Sequence, residues 1–282
     1  NGTTWACATV SGGTGAYKVL PATLVRGDTY YIADGTYPGY VENGATVPGT
    51  SLITIKKATV SAHGTDTGWD DSYGDGQAVL TPQWKTYNSY FVIDGVVGSG
   101  SNPDSYGFKM TPTDCNKDNR MLQLGYNVAI SNVTVSHIAF VSCGSGYDYV
   151  QLGIYGVQLA TNMTISHNYF VNGNTNMLIR GWTDSTISDN YFDGNWSSAA
   201  NHGTQISPGG ACNDIVLKNN IFKDSKGTAA VSVHKNNNNR WKVFNNLIIG
   251  GTIALGIGNG DSATIDVMKS WEFHHNTFVN VL

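Results

Sequence analysis

Six stretches of the chain repeat one order of apolar and polar positions when each is aligned on a large apolar residue. They are NVTVSHIAF ending at Phe140, NMTISHNYF at Phe170, DSTISDNYF at Phe192, NDIVLKNNIF at Phe222, WKVFNNLI at Ile248 and WEFHHNTF at Phe278. The anchors are 30, 22, 30, 26 and 30 residues apart. Five positions before each anchor stand Val135, Ile165, Ile187, Leu217, Val243 and Phe273, an unbroken apolar column. Two positions before it stand Ile138, Asn168, Asn190, Asn220, Asn246 and Asn276. Alternation of apolar and polar residues is the two-residue period of a strand. Recurrence at this longer interval is one coil of a solenoid.

Together the two periods predict an all-β chain, a single-domain right-handed parallel β-helix spanning residues 1–282. Each strand pairs in parallel with its copy one coil away, so like residues stack about 4.8 Å apart. Stacked Asn side chains then donate to and accept from one another along the axis. The same Asn is expected to take the left-handed backbone of the bend. Earlier strands are expected at Thr29–Ala33, Leu52–Lys56, Tyr90–Asp94 and Met121–Leu124, with Asn127–Ile130 leading into the first clean repeat. Gly-, Asp- and Ser-rich stretches near 62–76 and 98–117 read as loops projecting from the coils.

The opening segments Asn1-Gly2-Thr3-Thr4-Trp5-Ala6 and LPATLVRGDTYYIADGTY from Leu20 to Tyr37, with the Asn-x-hydrophobic repeats behind them, carry a resemblance across nearly the whole chain. The chain resembles the bacterial parallel β-helix proteins of the pectate-lyase-like superfamily. The resemblance implies the fold; it spans lyases, hydrolases, epimerases, phage spikes and non-catalytic surface proteins, and fold does not settle activity. Members carry an extra strand before the NGTTWA-like segment and a cap at the far end. Neither is visible between Asn1 and Leu282, so both ends are expected to present open β-edges.

Composition narrows the function classes. Charged residues make up 13% of the chain, about half the usual globular share. The formal charge of −4 offers no basic face for a phosphate backbone, which argues against nucleic-acid binding. No apolar run approaches the length of a membrane-spanning helix. The missing initiator Met at Asn1 is read as a removed leader or a trimmed chain, and the expected location is secreted, extracellular or at the cell surface. Four cysteines fit neither zinc nor redox spacing. Cys115 and Cys143, 28 residues apart, can stand on neighbouring coils and form a disulfide.

Candidate chemistry is sparse. The clustered carboxylates of a glycoside hydrolase are not assembled. A polysaccharide lyase needs a base and a cation for the uronate carboxylate. The strands after the anchor turns offer Arg180, His234 and Lys235 for these catalytic roles. Tyr149, Gln151, His202, Gln205 and Ser207 are expected to line a substrate groove, with Trp182 stacking on a sugar. Asp66, Asp70, Asp71 and Asp75 gather among glycines as a calcium site. His137, His167 and His275 share a column with Asp189, Asn219 and Asn245 and read as an outward polar row, not as metal ligands.

Two functions follow. One is a non-catalytic surface protein that associates with itself head to tail, because an uncapped solenoid end makes a contact that does not close. The alternative is a polysaccharide lyase, or a related carbohydrate-active enzyme, working on an acidic glycan. The first is favoured, because no sequence pattern forces catalysis.

Overall fold

The computed structural model describes residues 4–5, 19–44, 46–81, 83–114, 120–125, 128–144, 150–153, 159–196, 203–227, 229–234, 238–251, 254–258 and 269–281. Within these, the repeat becomes a parallel β-helix of three sheets. The first sheet runs through nine strands: Thr29–Ile32, Ile53–Lys57, Phe91–Asp94, Ile130–Ser136, Ala160–Ser166, Trp182–Ser188, Asn213–Lys218, Lys242–Phe244 and Glu272–His274. The second also has nine: Gly35–Tyr37, Ala78–Leu80, Phe108–Met110, Ile138–Val141, Tyr169–Gly173, Tyr191–Asn195, Ile221–Lys223, Leu247–Ile249 and Thr277–Val279. The third has seven: Trp84–Thr86, Leu122–Leu124, Val150–Gly153, Thr175–Ile179, Thr204–Pro208, Ala229–His234 and Leu255–Gly258. Among the described residues no helix is long and apolar enough to cross a membrane.

The pairing register reproduces the aligned repeat. Phe140, Phe170, Phe192, Phe222, Ile248 and Phe278 stand opposite one another in successive coils. Their rings stack inside the coil, with centroids 4.8 Å apart from Phe140 through Phe170 and Phe192 to Phe222. Val135, Ile165, Ile187, Leu217, Val243 and Phe273 form a second column. Upstream, Met110 and Leu80 continue the anchor column above Phe140. The strand Phe108–Met110 therefore lies inside a stretch expected to be a projecting loop, and Tyr106 beside it is buried against Tyr169. Phe108 and Met110 are needed to fill the coil.

The Asn column forms the expected ladder. Asn168 Nδ2 donates to Asn190 Oδ1 at 3.1 Å, and the next three links, to Asn220, Asn246 and Asn276, are each 3.0 Å. The left-handed backbone falls elsewhere than expected. It belongs to the preceding residue: His137, His167, Asp189, Asn219, Asn245 and His275 have φ between 55° and 59°. The ladder Asn must aim its own N–H at the Oδ1 one coil on, so the bend is made one position earlier. Two further left-handed columns, at Asn132, Asn162, Asp184, Asp214, Arg240 and Ser270 and at Asn172, Gly194, Asp224, Gly250 and Asn280, turn the other corners. Asn, Asp and Gly recur there because they tolerate positive φ.

Candidate functional site

Of the residues expected to line or serve the groove, three that are described are taken up by the fold. Gln151 and Gln205 are fully buried at the corner between the second and third sheets. Gln151 Nε2 donates to the carbonyls of Phe140 and Val171, and Gln205 Nε2 to that of Lys223. Between them Asn176 donates to Gln205 Oε1. These amides satisfy backbone carbonyls that a tight corner leaves over, as buried polar groups must be, and none reaches a substrate. Trp182 is also fully buried, in the core, and cannot stack on a sugar. Ser207 faces outward and is half-buried. Arg180 follows the strand Thr175–Ile179 and lies against Gly209, where an added Cβ would stand 3.2 Å from its Nε. Extending the register carries this column on to His234, two coils from Arg180. The side chain of His234, and Tyr149, His202 and Lys235, lie outside the described residues.

The acidic loop does not assemble a calcium site. Each carboxylate that bonds is taken by a local partner: Asp66 by His63, Asp70 by the N–H and hydroxyl of Ser72, and Asp71 by Trp69 Nε1. Among the described residues no three acidic, His or Cys side chains are placed to hold a metal ion. His63 stacks on Trp69 at 4.0 Å, and Trp5 packs edge-on to the same ring, so the loop's aromatics pack on one another. Cys143 is disulfide-bonded and Cys212 is a buried free thiol, while Cys115 lies outside the described residues.

A different set converges on the outer face of the first sheet. One register column there reads Lys56, Asp94, Ser136, Ser166, Ser188 and Lys218. Beside it runs a second, Thr54, Val92, Thr134, Thr164, Thr186 and Val216. Hydroxyl side chains thus run between the two lysines, those of Ser136 and Ser188 buried and those of Ser166, Thr134, Thr164 and Thr186 partly exposed. Lys56 and Lys218 have no ion partner among the described residues.

Asp94 is the centre of this face. Its Oδ1 accepts from His137 Nδ1 at 2.8 Å, from Val96 N at 2.8 Å and from Ser136 Oγ at 3.0 Å. Burial works to raise its pKa, but these hydrogen bonds and the imidazole charge outweigh it, and the carboxyl is held below its ordinary value. A carboxylate can only accept, so Nδ1 of His137 carries a hydrogen, and in the neutral form of the ring the lone pair lies on Nε2. The imidazole is about a quarter exposed, and His167 stacks on it from the next coil, centroids 5.1 Å apart. Gly95 permits the approach, since a Cβ there would lie 1.9 Å from the carbonyl oxygen of His137. Such an oriented imidazole can take a proton from a bound molecule.

Residues 109–280 match the family described as the right handed beta helix region. The chain belongs to this β-helix family. No curated protein sequence matches this β-helix. Among solved structures it is similar to a variant of the PL6 family alginate lyase AlyGC, at 16% identity and a TM-score of 0.39, over 91% of this chain and 36% of that one. AlyGC itself aligns at 16% identity and a TM-score of 0.34, over 85% of this β-helix and 38% of the lyase. A mannuronic acid specific family 6 polysaccharide lyase from human gut microbiota aligns at 11% identity and a TM-score of 0.29, over 90% and 82% of the two chains. The β-helix thus spans little more than a third of the length of AlyGC.

The repeat alignment had already placed His137 on the outer surface; what it lacked was Asp94. The signal was present, because aligning the strand at Phe91–Asp94 with VTVS puts Asp94 over Ser136, next to His137.

Proposed function

We propose that this chain acts outside the cell on an acidic polysaccharide, with the elimination chemistry of a lyase. The observation that carries this reading is the outer column of the first sheet, where Lys56 and Lys218, without an ion partner among the described residues, stand at the two ends of a run of hydroxyl side chains. Five coil steps separate them, about 24 Å at the usual strand spacing, which is room for several sugar rings laid along the axis. Hydroxyls satisfy sugar hydroxyls, and unpaired ammonium groups attract carboxylates. A disulfide at Cys143 accords with an oxidising, extracellular setting.

The test is affinity electrophoresis of the purified protein in gels containing polymannuronate, polyguluronate or polygalacturonate, with a neutral glucan as control. Retardation by a polyuronate, relieved in the double variant Lys56→Ala, Lys218→Ala, is the expected result. Equal mobility in all gels would sink the reading.

Head-to-tail self-association is a second reading, favoured by one observation. In the last described coil, Phe273 and Phe278 belong to the inward columns yet are 51% and 58% exposed. A second molecule, or further coils of a longer chain, would cover them. Sedimentation velocity across a concentration series distinguishes an associating protein from a monomer.

A further inference from the structure

We propose that His137, held by Asp94, is the base that removes the proton next to the substrate's carboxyl group. This assignment rests on the reading of the chain as acting on an acidic polysaccharide, and adds the reacting residue to it. It stands on geometry. The 2.8 Å contact to Asp94 Oδ1 fixes the ring's orientation and its tautomer together. Ser136 Oγ and Val96 N hold that oxygen in place from two other directions, so the carboxylate cannot swing away. His137 sits at a left-handed bend, φ 55°, which throws its side chain to the outside of the coil. Asp94 from the preceding coil and the stacked His167 from the next one touch it, and in the register of the same face Lys56 stands one coil before Asp94 and Asp189 one coil after His167.

The step balances without an added reactant. Nε2 takes the proton from C5, the carbon bearing the carboxyl group, and the C–H electron pair becomes the C4–C5 double bond. The C4–O4 bond breaks with its electrons on oxygen. The imidazolium then returns its proton to that oxygen, releasing a new chain end and restoring the neutral ring. Lys56, in the column that holds Asp94, is placed to neutralise the carboxylate whose α-carbon is losing the proton. Asp94 is a positioning residue: it touches the base, not the sugar.

The experiment combines three measurements on the full chain. Elimination is followed by ultraviolet absorbance of the unsaturated ends formed from the polyuronate that binds. Binding is followed separately by affinity electrophoresis, and the tautomer by nitrogen NMR of the uniformly labelled wild type. His137→Ala is expected to lose at least about a hundredfold in elimination rate, the lower range of general-base contributions, while still binding. Asp94→Asn, which can keep the accepting oxygen but removes the negative charge that stabilises the imidazolium formed in the step, is expected to lower the elimination rate while binding persists. His275→Asn, in the same column at the far end, is expected to leave the rate unchanged. The wild-type spectrum is expected to show neutral His137 protonated at Nδ1, a result independent of whether any variant folds.

A His137→Ala protein that cleaves like wild type overturns the assignment, as does a neutral His137 protonated at Nε2. Binding without elimination by the wild type overturns it too, together with the lyase chemistry, and leaves standing only the recognition of an acidic polysaccharide. Failure to bind any polyuronate removes both.

Discussion

Asn190 Nδ2 lies 3.0 Å from Asn220 Oδ1, although the two residues are 30 positions apart in the chain. The same oxygen also accepts the backbone N–H of Asn190 at 3.0 Å, and Asn220 Nδ2 reaches back to the carbonyl of Ile187 at 3.0 Å. One side chain therefore satisfies a donor pair and an acceptor of the coil before it. Water cannot substitute, because Asn220 is fully buried.

Asn220→Ala is accordingly expected to destabilise the fold by about 2 kcal/mol or more, since each buried polar group left unpaired costs about 1–3 kcal/mol. Urea unfolding followed by circular dichroism measures it. A change within about 0.5 kcal/mol, the size of an ordinary surface substitution, would mean that the ladder contributes no net stability.

The left-handed column makes a second, opposite prediction at an exposed site. Asn245 has φ 55° and its side chain stands in solvent. Asn245→Gly is expected to be neutral, whereas Asn245→Val is expected to cost about 1–2 kcal/mol, because a β-branched residue is strained at positive φ. Equal stability of the two variants would show that the bend does not demand this conformation.

These two columns show how far the sequence could be read. The inward alternation and the Asn spacing define the coil and its register, because every coil repeats the same packing problem and the answers recur in like positions. The bend residue was misplaced by one, because Asn is common in both columns and only the ladder's need to direct its own N–H tells them apart. The upper strands at Gly35–Tyr37, Ala78–Leu80, Trp84–Thr86 and Phe108–Met110 lack that Asn, so nothing aligned them. Gln151, Gln205 and Trp182 were misread because polar and aromatic residues suit a groove by type, while a solenoid corner buries the same types. Asp94 and His137 meet across 43 positions of sequence, and only the register brings them together.

Acid sensitivity should trace to Asp94. Its pKa in the folded chain lies below the ordinary carboxylate value, so its stabilising contribution is present above about pH 4. That contribution is lost as pH falls through the depressed folded value. Removing the titrating carboxyl by Asp94→Asn is expected to lower stability at neutral pH and to flatten the acid limb of a stability–pH curve. Parallel acid limbs for the two proteins would show that Asp94 does not carry this dependence.

The core should be as demanding as the ladder. Phe192 is fully buried, with Phe170 and Phe222 each 4.8 Å from its centroid. Phe192→Ala is expected to cost about 3–5 kcal/mol, with Phe192→Leu recovering most of it. The midpoint of urea unfolding separates the three proteins.

The ladder also has a direction. Each Asn offers both its side-chain N–H and its backbone N–H to the Oδ1 of the coil that follows, as Asn168 does to Asn190 and Asn190 to Asn220. During synthesis the N-terminal coils emerge first, so a newly wound coil holds two unmet donors until its successor leaves the ribosome. The arriving coil supplies one oxygen that quenches both, and in doing so brings two new donors of its own. Growth of the solenoid is thus vectorial, with the demand for the next turn carried forward by a single amide at the leading edge.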